Sequence, residues 1–176
     1  MAAMTRREAR EAVFELLFET EFTAERTPEQ TLALACEQRE MAMDDYVKTA
    51  YLGAMEHRAV LDVLLGRFSN GWKTDRMSRV SRAVLRLCTY EMLYCKDIPT
   101  NVSLNEAVEL AKKFDDPKAR AFVNGVLNSI KGEIEKQGAD VVVANCEAAL
   151  AEAQAPVEVE APAEDVVSAE PTQENE

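Results

Sequence analysis

Three arginines lie within the first ten residues of the chain, and they are its clearest candidates for a chemical role. Arg6, Arg7 and Arg10 stand at the head of 176 residues whose formal net charge is −12. Guanidinium groups recognise phosphates and carboxylates through a rigid fork of N–H donors. A clustered basic patch in an acidic protein therefore predicts one particular anionic partner.

The negative charge is concentrated near the C-terminal end. Residues 138–176 contain ten acidic side chains and no Lys or Arg, so residues 1–137 hold twenty basic and twenty-two acidic residues, a net charge of −2. We predict one domain over 1–137 and an acidic, low-complexity tail over 138–176 that is largely disordered, with some helix in 139–153. Two roles for the tail stay open: a solubilising extension, or a segment that competes with an anionic ligand for the basic residues.

Apolar residues between positions 5 and 136 recur with helical spacing, and no strand-like alternation is sustained. This pattern predicts an all-α domain. Residues 80–96 are apolar around nearly the whole helix circumference, which is typical of a central helix that is contacted on several sides. Glu91 projects from this helix, so we expect it to have a buried partner, such as an arginine or a helix N-terminus.

Four segments carry signals for the start of a helix. Residues 27–30, Thr-Pro-Glu-Gln, combine an N-cap, a proline and a capping-box glutamine. Asp44 or Asp45 is expected to cap a long helix that continues to residue 68. Residues 103–106, Ser-Leu-Asn-Glu, match a full capping box, and residues 116–117, Asp-Pro, open the last helix.

Two packing details are also predicted. Val102 and Ala107 are placed to form a hydrophobic staple at the capping box. Gly125 lies inside the last helix, where glycine costs about 1 kcal/mol in helix propensity, so we expect a close helix contact there.

The first predicted helix has two faces of different character. Its core face contains Ala9, Ala12, Val13, Leu16 and Leu17. A second stripe carries Arg7 and Arg10, followed by Phe14 and Phe18. The two phenylalanines either widen the core or join the arginines in a composite surface, in which arginines bind phosphate and aromatic rings bind a base or a protein partner.

A second basic region precedes the last helix. Residues 112–122 contain four basic side chains, among them Lys118, together with Phe114 and Phe122. The amides at a helix N-terminus suit a phosphate. Two aspartates at 115–116 weaken this interpretation, because one is expected to cap the helix and both repel an anion. A solvated, charged turn is the alternative.

Motifs for catalysis and metal binding are missing from the sequence. The single histidine, His57, lies on a predicted core-facing stripe without Cys or carboxylate at metal-ligand spacing, which favours a packed histidine. The sequence contains no phosphate-binding glycine loop, dinucleotide fingerprint or nucleophile elbow. We therefore expect a protein that is not an enzyme and that uses no cofactor or metal.

The sequence also indicates a compartment. No stretch approaches the ~20 apolar residues of a membrane span, and the N-terminal residues lack an apolar signal region. The four cysteines show no C-x-x-C pairing and are expected to be reduced thiols. We expect a cytoplasmic protein with no membrane partner.

Four segments together resemble a known family. They are Arg-Arg-Glu-Ala-Arg at 6–10, Ala-Val-Leu-Arg-Leu at 83–87 with Tyr-Glu at 90–91, the stretch 98–112 that ends in Asn-Glu-Ala-Val-Glu-Leu-Ala-Lys, and Phe-Val-Asn-Gly-Val-Leu at 122–127. Each alone is a weak signal, but the set is highly specific. From about residue 5 to residue 136 the chain resembles the NusB family of bacterial transcription antitermination factors.

The resemblance implies a fold and a function. The fold is a compact, all-helical one of two packed bundles around a central hydrophobic helix. NusB proteins bind the boxA element of nascent ribosomal RNA transcripts as a heterodimer with ribosomal protein S10 (NusE), and they help the RNA polymerase antitermination complex to read through terminators. In the family, the arginine-rich N-terminus and the turn before the last helix meet the RNA, while the first helix and the start of the central helix meet S10.

The resemblance also implies roles for individual residues. The implied RNA-binding residues are Arg6, Arg7, Arg10, Phe114 and Phe122, and Lys118 is a favourable charge at the same turn. The implied S10 surface contains Phe18, with Phe14 on the same stripe. Ser81 departs from the family, because relatives often carry an acidic residue there that helps to bind S10.

Two other functions compete with this one. The first is a homodimeric protein-interaction scaffold, in which the aromatic stripe pairs with itself and RNA binding is weak or lost. The second is an RNA methyltransferase, since some of these enzymes carry a NusB-like N-terminal domain. The absence of a nucleotide-binding βαβ pattern argues strongly against the enzyme.

Overall fold

The computed structural model of the protein describes residues 4–38, 44–69 and 76–154. These residues form eight helices and no strand, so the all-α prediction is confirmed. The helices are α1 Arg6–Thr20, α2 Pro28–Gln38, α3 Asp45–Glu56, α4 Arg58–Phe68, α5 Arg79–Tyr94, α6 Thr100–Phe114, α7 Pro117–Gln137 and α8 Ala139–Gln154. Within the described ranges, every helix is too short or too polar to cross a membrane.

Helix α5 lies at the centre of the fold. All of its residues from Ala83 to Leu93 are buried, whichever side of the helix they occupy. Helices α1, α2 and α3 contact one another, while α4, α6 and α8 each contact α7 and form a second group, and members of both groups contact α5. Two bundles thus pack around a central hydrophobic helix, as the family resemblance implies.

Three of the predicted helix starts are confirmed by their hydrogen bonds. The Thr27 amide donates to Gln30 Oε1 at 3.0 Å, and the Gln30 amide donates to Thr27 Oγ1 at 3.3 Å. Asp44 caps α3 by accepting from two backbone amides, and Asp116 caps α7 by accepting from the Lys118 amide at 2.8 Å. These starts were readable because each cap is made within a few residues of sequence.

The long helix predicted from residue 44 to residue 68 is wrong. The structure has two helices instead, α3 and α4, which are separated at His57 with φ −91° and ψ 11°. The break allows α3 to pack against α1 and α2, while α4 packs against α7 and α8. The uninterrupted apolar spacing of the sequence did not reveal that the two halves have different neighbours.

The capping box predicted at residues 103–106 is also wrong. Helix α6 begins at Thr100, after the extended residue Pro99, so Ser103 lies inside the helix. Its buried hydroxyl has no hydrogen-bond partner, and Val102, the expected staple residue, is 41 % exposed. Glu106 instead accepts two hydrogen bonds from Arg7 of α1.

The close contact predicted at Gly125 is absent. A Cβ atom at Gly125 would have no neighbour within 4 Å, so the glycine is not required by packing. The crowded glycine is Gly53 in α3, where a Cβ atom would lie 2.1 Å from the hydroxyl oxygen of Tyr90. Tyr90 therefore packs directly against the α3 backbone.

Helix α8 occupies the first part of the predicted acidic tail. Val142 and Cys146 are buried, and α8 packs against α4, α5 and α7. Arg67 of α4 donates from Nη2 to the backbone carbonyl of Asn145 at 3.1 Å. Residues 139–154 thus form a packed helix, while residues 155–176 of the predicted tail lie outside the described residues. The domain boundary at residue 137 stays a prediction.

Candidate nucleic-acid interface

Helix α1 begins directly after Thr5, which places Arg6 and Arg7 in its first turn. The Glu8 amide donates to Thr5 Oγ1 at 3.3 Å, and the Thr5 amide donates to Glu8 Oε2 at 2.7 Å. The hydrogen bond from the Thr5 backbone amide, followed by the one from its side chain, lowers the pKa of Glu8. Two cations at a helix N-terminus oppose the helix dipole. Their position therefore does not serve the stability of α1.

Both of these arginines are exposed, and each has a neighbour from another helix. The Arg6 guanidinium lies over the ring of Tyr46, 4.4 Å from its centroid. Arg7 donates from Nε and Nη2 to the two carboxylate oxygens of Glu106, at 3.1 and 2.9 Å. The Arg7 side chain remains 67 % exposed. Because this fork uses two of the five N–H donors, three stay available for another acceptor.

Arg10 is placed differently from the expected surface position. It is 5 % exposed, and its Nε donates to Oε1 of Glu91 at 2.9 Å. Tyr46 donates its hydroxyl to the same oxygen, and burial followed by the charge of Glu91 raises the pKa of Tyr46. A carboxylate buried as deeply as Glu91 must be paired. The expected arginine partner of Glu91 is confirmed, whereas contact between Arg10 and RNA stays a prediction that would require this pair to open.

A groove between α1 and α6 brings together several exposed cations. Its volume is about 370 Å³, and Arg7, Lys112 and Lys113 are among the residues that line it. Lys113 donates from Nζ to the carboxylate of Glu11 and lies 4.9 Å from the ring centroid of Phe114. The groove therefore combines positive charge with the edge of an aromatic cluster.

The aromatic cluster runs along α1 and reaches α6. Phe14 is 3 % exposed and packs on Phe114, with ring centroids 4.8 Å apart, so Phe14 belongs to the core and not to a surface stripe. Phe18 is half-buried and lies between Phe14 and Phe22, at 6.2 and 5.2 Å. Phe22 is 56 % exposed, and Arg79 of α5 lies 4.4 Å above its ring. The accessible part of this cluster is therefore Phe18 with Phe22.

The first two turns of α7, which follow the turn after α6, carry Lys118 and Phe122. Lys118 is exposed and Phe122 is half-buried. Asp116 accepts from the Lys118 amide and thus occupies the N-terminus of α7. The expectation that the amides there bind a phosphate is weakened, because a carboxylate already uses one of them.

Asp115 at the same turn is held by α5. Its Oδ2 accepts from Ser78 Oγ at 2.8 Å and from Ser81 Oγ at 2.5 Å. The two serines stand at the start of α5, and a cavity of about 340 Å³ opens beside them toward Phe122. The carboxylate of Asp115 thus lies within hydrogen-bond distance of the Ser81 side chain.

The described residues contain no group of three or more His, Cys, Asp or Glu side chains that could hold a metal ion. His57 is half-buried, and its ring stacks on Tyr94 with centroids 4.1 Å apart. This geometry agrees with the interpretation of His57 as a packed histidine.

A family model described as "NusB family" matches residues 7–131. The chain belongs to the NusB family. The match includes α1 from Arg7 onward, α2 to α6 and most of α7, and it contains all the residues that form the groove and the aromatic cluster. Helix α8 lies beyond the NusB match.

Individual relatives and solved structures agree with this assignment. Transcription antitermination protein NusB of Bacillus subtilis (strain 168) is 44 % identical over 133 residues, which are 76 % of this chain and 99 % of the relative. The structure of T. maritima NusB has a TM-score of 0.68 at 37 % identity and covers 75 % of this chain and 94 % of its own. A crystal structure of antitermination factors NusB and NusE in complex with dsRNA has a TM-score of 0.64 at 28 % identity, with coverage of 71 % and 94 %.

The structure places three further residues in the candidate interface that were not predicted there from the sequence: Phe22, Glu11 and Glu106. Phe22 continues the spacing of Phe14 and Phe18 by one more helical turn and could have been found by extending the stripe. Glu11 and Glu106 carried no such signal, because their partners Lys113 and Arg7 lie on other helices.

Proposed function

We propose that this protein is a transcription antitermination factor that binds the boxA element of ribosomal RNA transcripts together with ribosomal protein S10 (NusE), within the RNA polymerase antitermination complex. The observation that carries the proposal is the groove in which Arg7, Lys112 and Lys113 lie beside the aromatic cluster. In this proposal the protein acts by binding and not by catalysis. It acts in the cytoplasm, where the ribosomal RNA transcripts that it binds are made.

The proposed RNA surface extends from the start of α1 to the turn before α7. Arg6, Arg7 and Lys118 supply exposed cations for phosphate oxygens. Half-buried Phe114 and Phe122 offer ring edges or faces to unpaired bases, which is how single-stranded RNA is commonly recognised. Phosphate contacts give affinity that falls with salt, and base contacts give sequence preference.

The proposed S10 surface is formed by α1 and the start of α5. Phe18 and Phe22 supply an apolar patch, and Arg79 rests on Phe22. Ser81 lacks the acidic group that relatives often carry. The Asp115 carboxylate, 2.5 Å from Ser81 Oγ, brings a negative charge to the same place.

The proposal is tested by titrating a boxA-like RNA with the protein, with and without S10, at two salt concentrations. The variant Arg7→Ala/Lys118→Ala should bind more weakly, and its log–log salt slope should be shallower by about 0.7 for each lost cation. Lys136→Ala is the control for losing a cation outside the proposed surface, because it removes an exposed lysine from the far end of α7, ~27 Å from Lys118 by helical rise.

Two results would contradict the proposal. The first is a wild-type protein that does not bind boxA-like RNA even with S10. The second is a double variant whose titrations match those of Lys136→Ala. A tight homodimer that is indifferent to S10 in light scattering would favour the scaffold function.

A further inference from the structure

Two cations of the α1–α6 groove are already paired with carboxylates from the facing helix. Glu106 of α6 accepts from Arg7 of α1, and Glu11 of α1 accepts from Lys113 of α6. The two pairs therefore cross the groove in opposite directions. In the absence of a ligand, Arg7 and Lys113 each have a counter-charge at hydrogen-bond distance.

These two pairs differ in kind from the buried pair of Arg10 and Glu91. The side chains of Arg7 and Lys113 are 67 % and 57 % exposed, so water can replace either carboxylate as a partner. Exposed ion pairs contribute little net stability because solvent screens them. A ligand can consequently break them at small cost, whereas opening the Arg10 pair would strand a charge in the core.

The carboxylates also fix where the cations lie. Glu106 engages Arg7 through both of its oxygens, which orients the guanidinium plane, and its hydrogen bond raises the pKa of Arg7. Fixed in this way, Arg7 holds its remaining donors in the guanidinium plane, on the sides that Glu106 does not occupy. A polyanion that approaches from elsewhere meets a neutralised pair.

We infer that Glu106 and Glu11 are selectivity residues of the RNA surface, because each carboxylate holds one groove cation in an ion pair. A phosphate of correctly bound RNA can displace the carboxylate or share the cation with it, whereas a phosphate of an indiscriminately bound polyanion cannot. The inference rests on the proposed function, since it assigns these carboxylates to the same surface. Their effect is to weaken non-specific binding more than specific binding.

The test compares a boxA-like RNA, in the presence of S10, with polyadenylate of the same length. The full-length variants are Glu106→Gln, Glu11→Gln and the double variant, which retain side-chain size and remove charge. For the double variant we expect polyadenylate affinity to rise about three- to tenfold at low salt, with a salt slope steeper by about 0.7 for each released cation. Affinity for the boxA-like RNA should change less than threefold, so the ratio of the two affinities falls.

Glu109→Gln is the matched control. Glu109 lines the same groove and acts on Arg7 only through its charge, without a hydrogen bond. It therefore changes the net charge of the groove by the same amount as Glu106→Gln or Glu11→Gln alone without releasing a cation, and we expect its polyadenylate affinity to stay within twofold of wild type. Thermal unfolding of every variant should match wild type, because the cation of each pair is largely exposed and solvent screens the pair.

The inference is overturned if neither Glu106→Gln nor Glu11→Gln binds polyadenylate better than Glu109→Gln, or if the double variant loses affinity for both RNAs. The first result would mean that the pairs do not restrain the cations, and the second that the carboxylates only support the fold of the groove. Failure of the wild-type protein to bind boxA-like RNA would overturn the proposed function instead. The polyadenylate comparison would still decide whether the carboxylates restrain the cations.

Discussion

The Nε atom of Arg10 on α1 lies 2.9 Å from Oε1 of Glu91 on α5, and Tyr46 of α3 donates to the same oxygen. Three helices thus meet at one buried carboxylate. Because the low dielectric of the interior penalises an unpaired charge, the three side chains fix the position of α1 and α3 on the central helix. The fold uses one arginine of the N-terminal group for this purpose and leaves Arg6 and Arg7 at the surface.

The first prediction concerns the removal of one partner of this pair. Arg10→Met keeps most of the side-chain volume but leaves Glu91 buried without a cation, so the free energy of unfolding should fall by about 3–5 kcal/mol. Urea unfolding followed by circular dichroism measures the change. Arg7→Ala should stay within about 0.5 kcal/mol of wild type, because its pair is exposed.

A double variant provides the control for this prediction. Arg10→Met/Glu91→Leu removes both charges and should recover most of the lost stability, since an apolar pair of similar volume is often as stable as a buried ion pair. If Arg10→Met were as stable as wild type but bound RNA less well, Arg10 would be a surface contact and the buried pair would be incorrect.

A second prediction separates the two roles of Tyr46. Its hydroxyl donates to Glu91, while its ring lies beneath the Arg6 guanidinium. Tyr46→Phe keeps the ring and removes the donor, so unfolding should become easier by about 1.5–3 kcal/mol, the range for a hydrogen bond to a charged group. RNA affinity should be unchanged in the same titrations. Loss of RNA affinity without loss of stability would contradict this assignment.

Local signals in the sequence were sufficient for much of the fold but not for the site. The caps at Thr27 and Asp116 depend on neighbours in sequence, and the need of Glu91 for a partner follows from its position on an apolar helix. Glu106 matched a capping pattern, yet its partner is Arg7 on another helix. The sequence is compatible with Phe14 in the core or at the surface, because only the packing of Phe114 against it decides between them.

The third prediction concerns acid stability at the junction of α1, α4 and α5. Glu21 is paired with Arg82 and Arg86, and Arg86 also donates to Asp62. Burial would raise the pKa of Glu21, but the attraction of Arg86 and Arg82 outweighs it, so the pKa is lowered. The stability that this group contributes is present above the unfolded pKa of about 4.3 and is lost as the pH falls through the lower folded value.

Glu21→Gln tests this linkage. The variant should be less stable than wild type at pH 6, and its urea midpoint should fall less between pH 5 and pH 3, because the titrating carboxylate is gone. Glu25→Gln, at an exposed position nearby, should keep the wild-type pH dependence. Equal pH dependence in wild type and Glu21→Gln would show that this pair does not contribute to acid unfolding.

The fourth prediction compares two helical glycines. At Gly53 a Cβ atom would lie 2.1 Å from Tyr90 Oη, and Tyr90 is only 6 % exposed, so its ring has little room to move. Gly53→Ala should destabilise the protein by about 1–3 kcal/mol through overpacking. Gly125→Ala meets open space and should stabilise it by up to about 1 kcal/mol through helix propensity. Thermal unfolding of both variants checks this, and equal effects of the two substitutions would contradict the packing of Tyr90 on α3.

The last prediction is that α8 stabilises the NusB domain although it lies beyond the family match. Truncation after Gln137 removes buried Val142 and Cys146 from the surface of α4, α5 and α7, which should lower the free energy of unfolding by about 3 kcal/mol. For a chain of this size the loss corresponds to a Tm lower by about 6–12 °C. Truncation after Gln154 removes seven acidic residues but keeps α8, and its Tm should remain near that of wild type. If both truncations had the same Tm, charge and not helix packing would govern the contribution of this part of the chain.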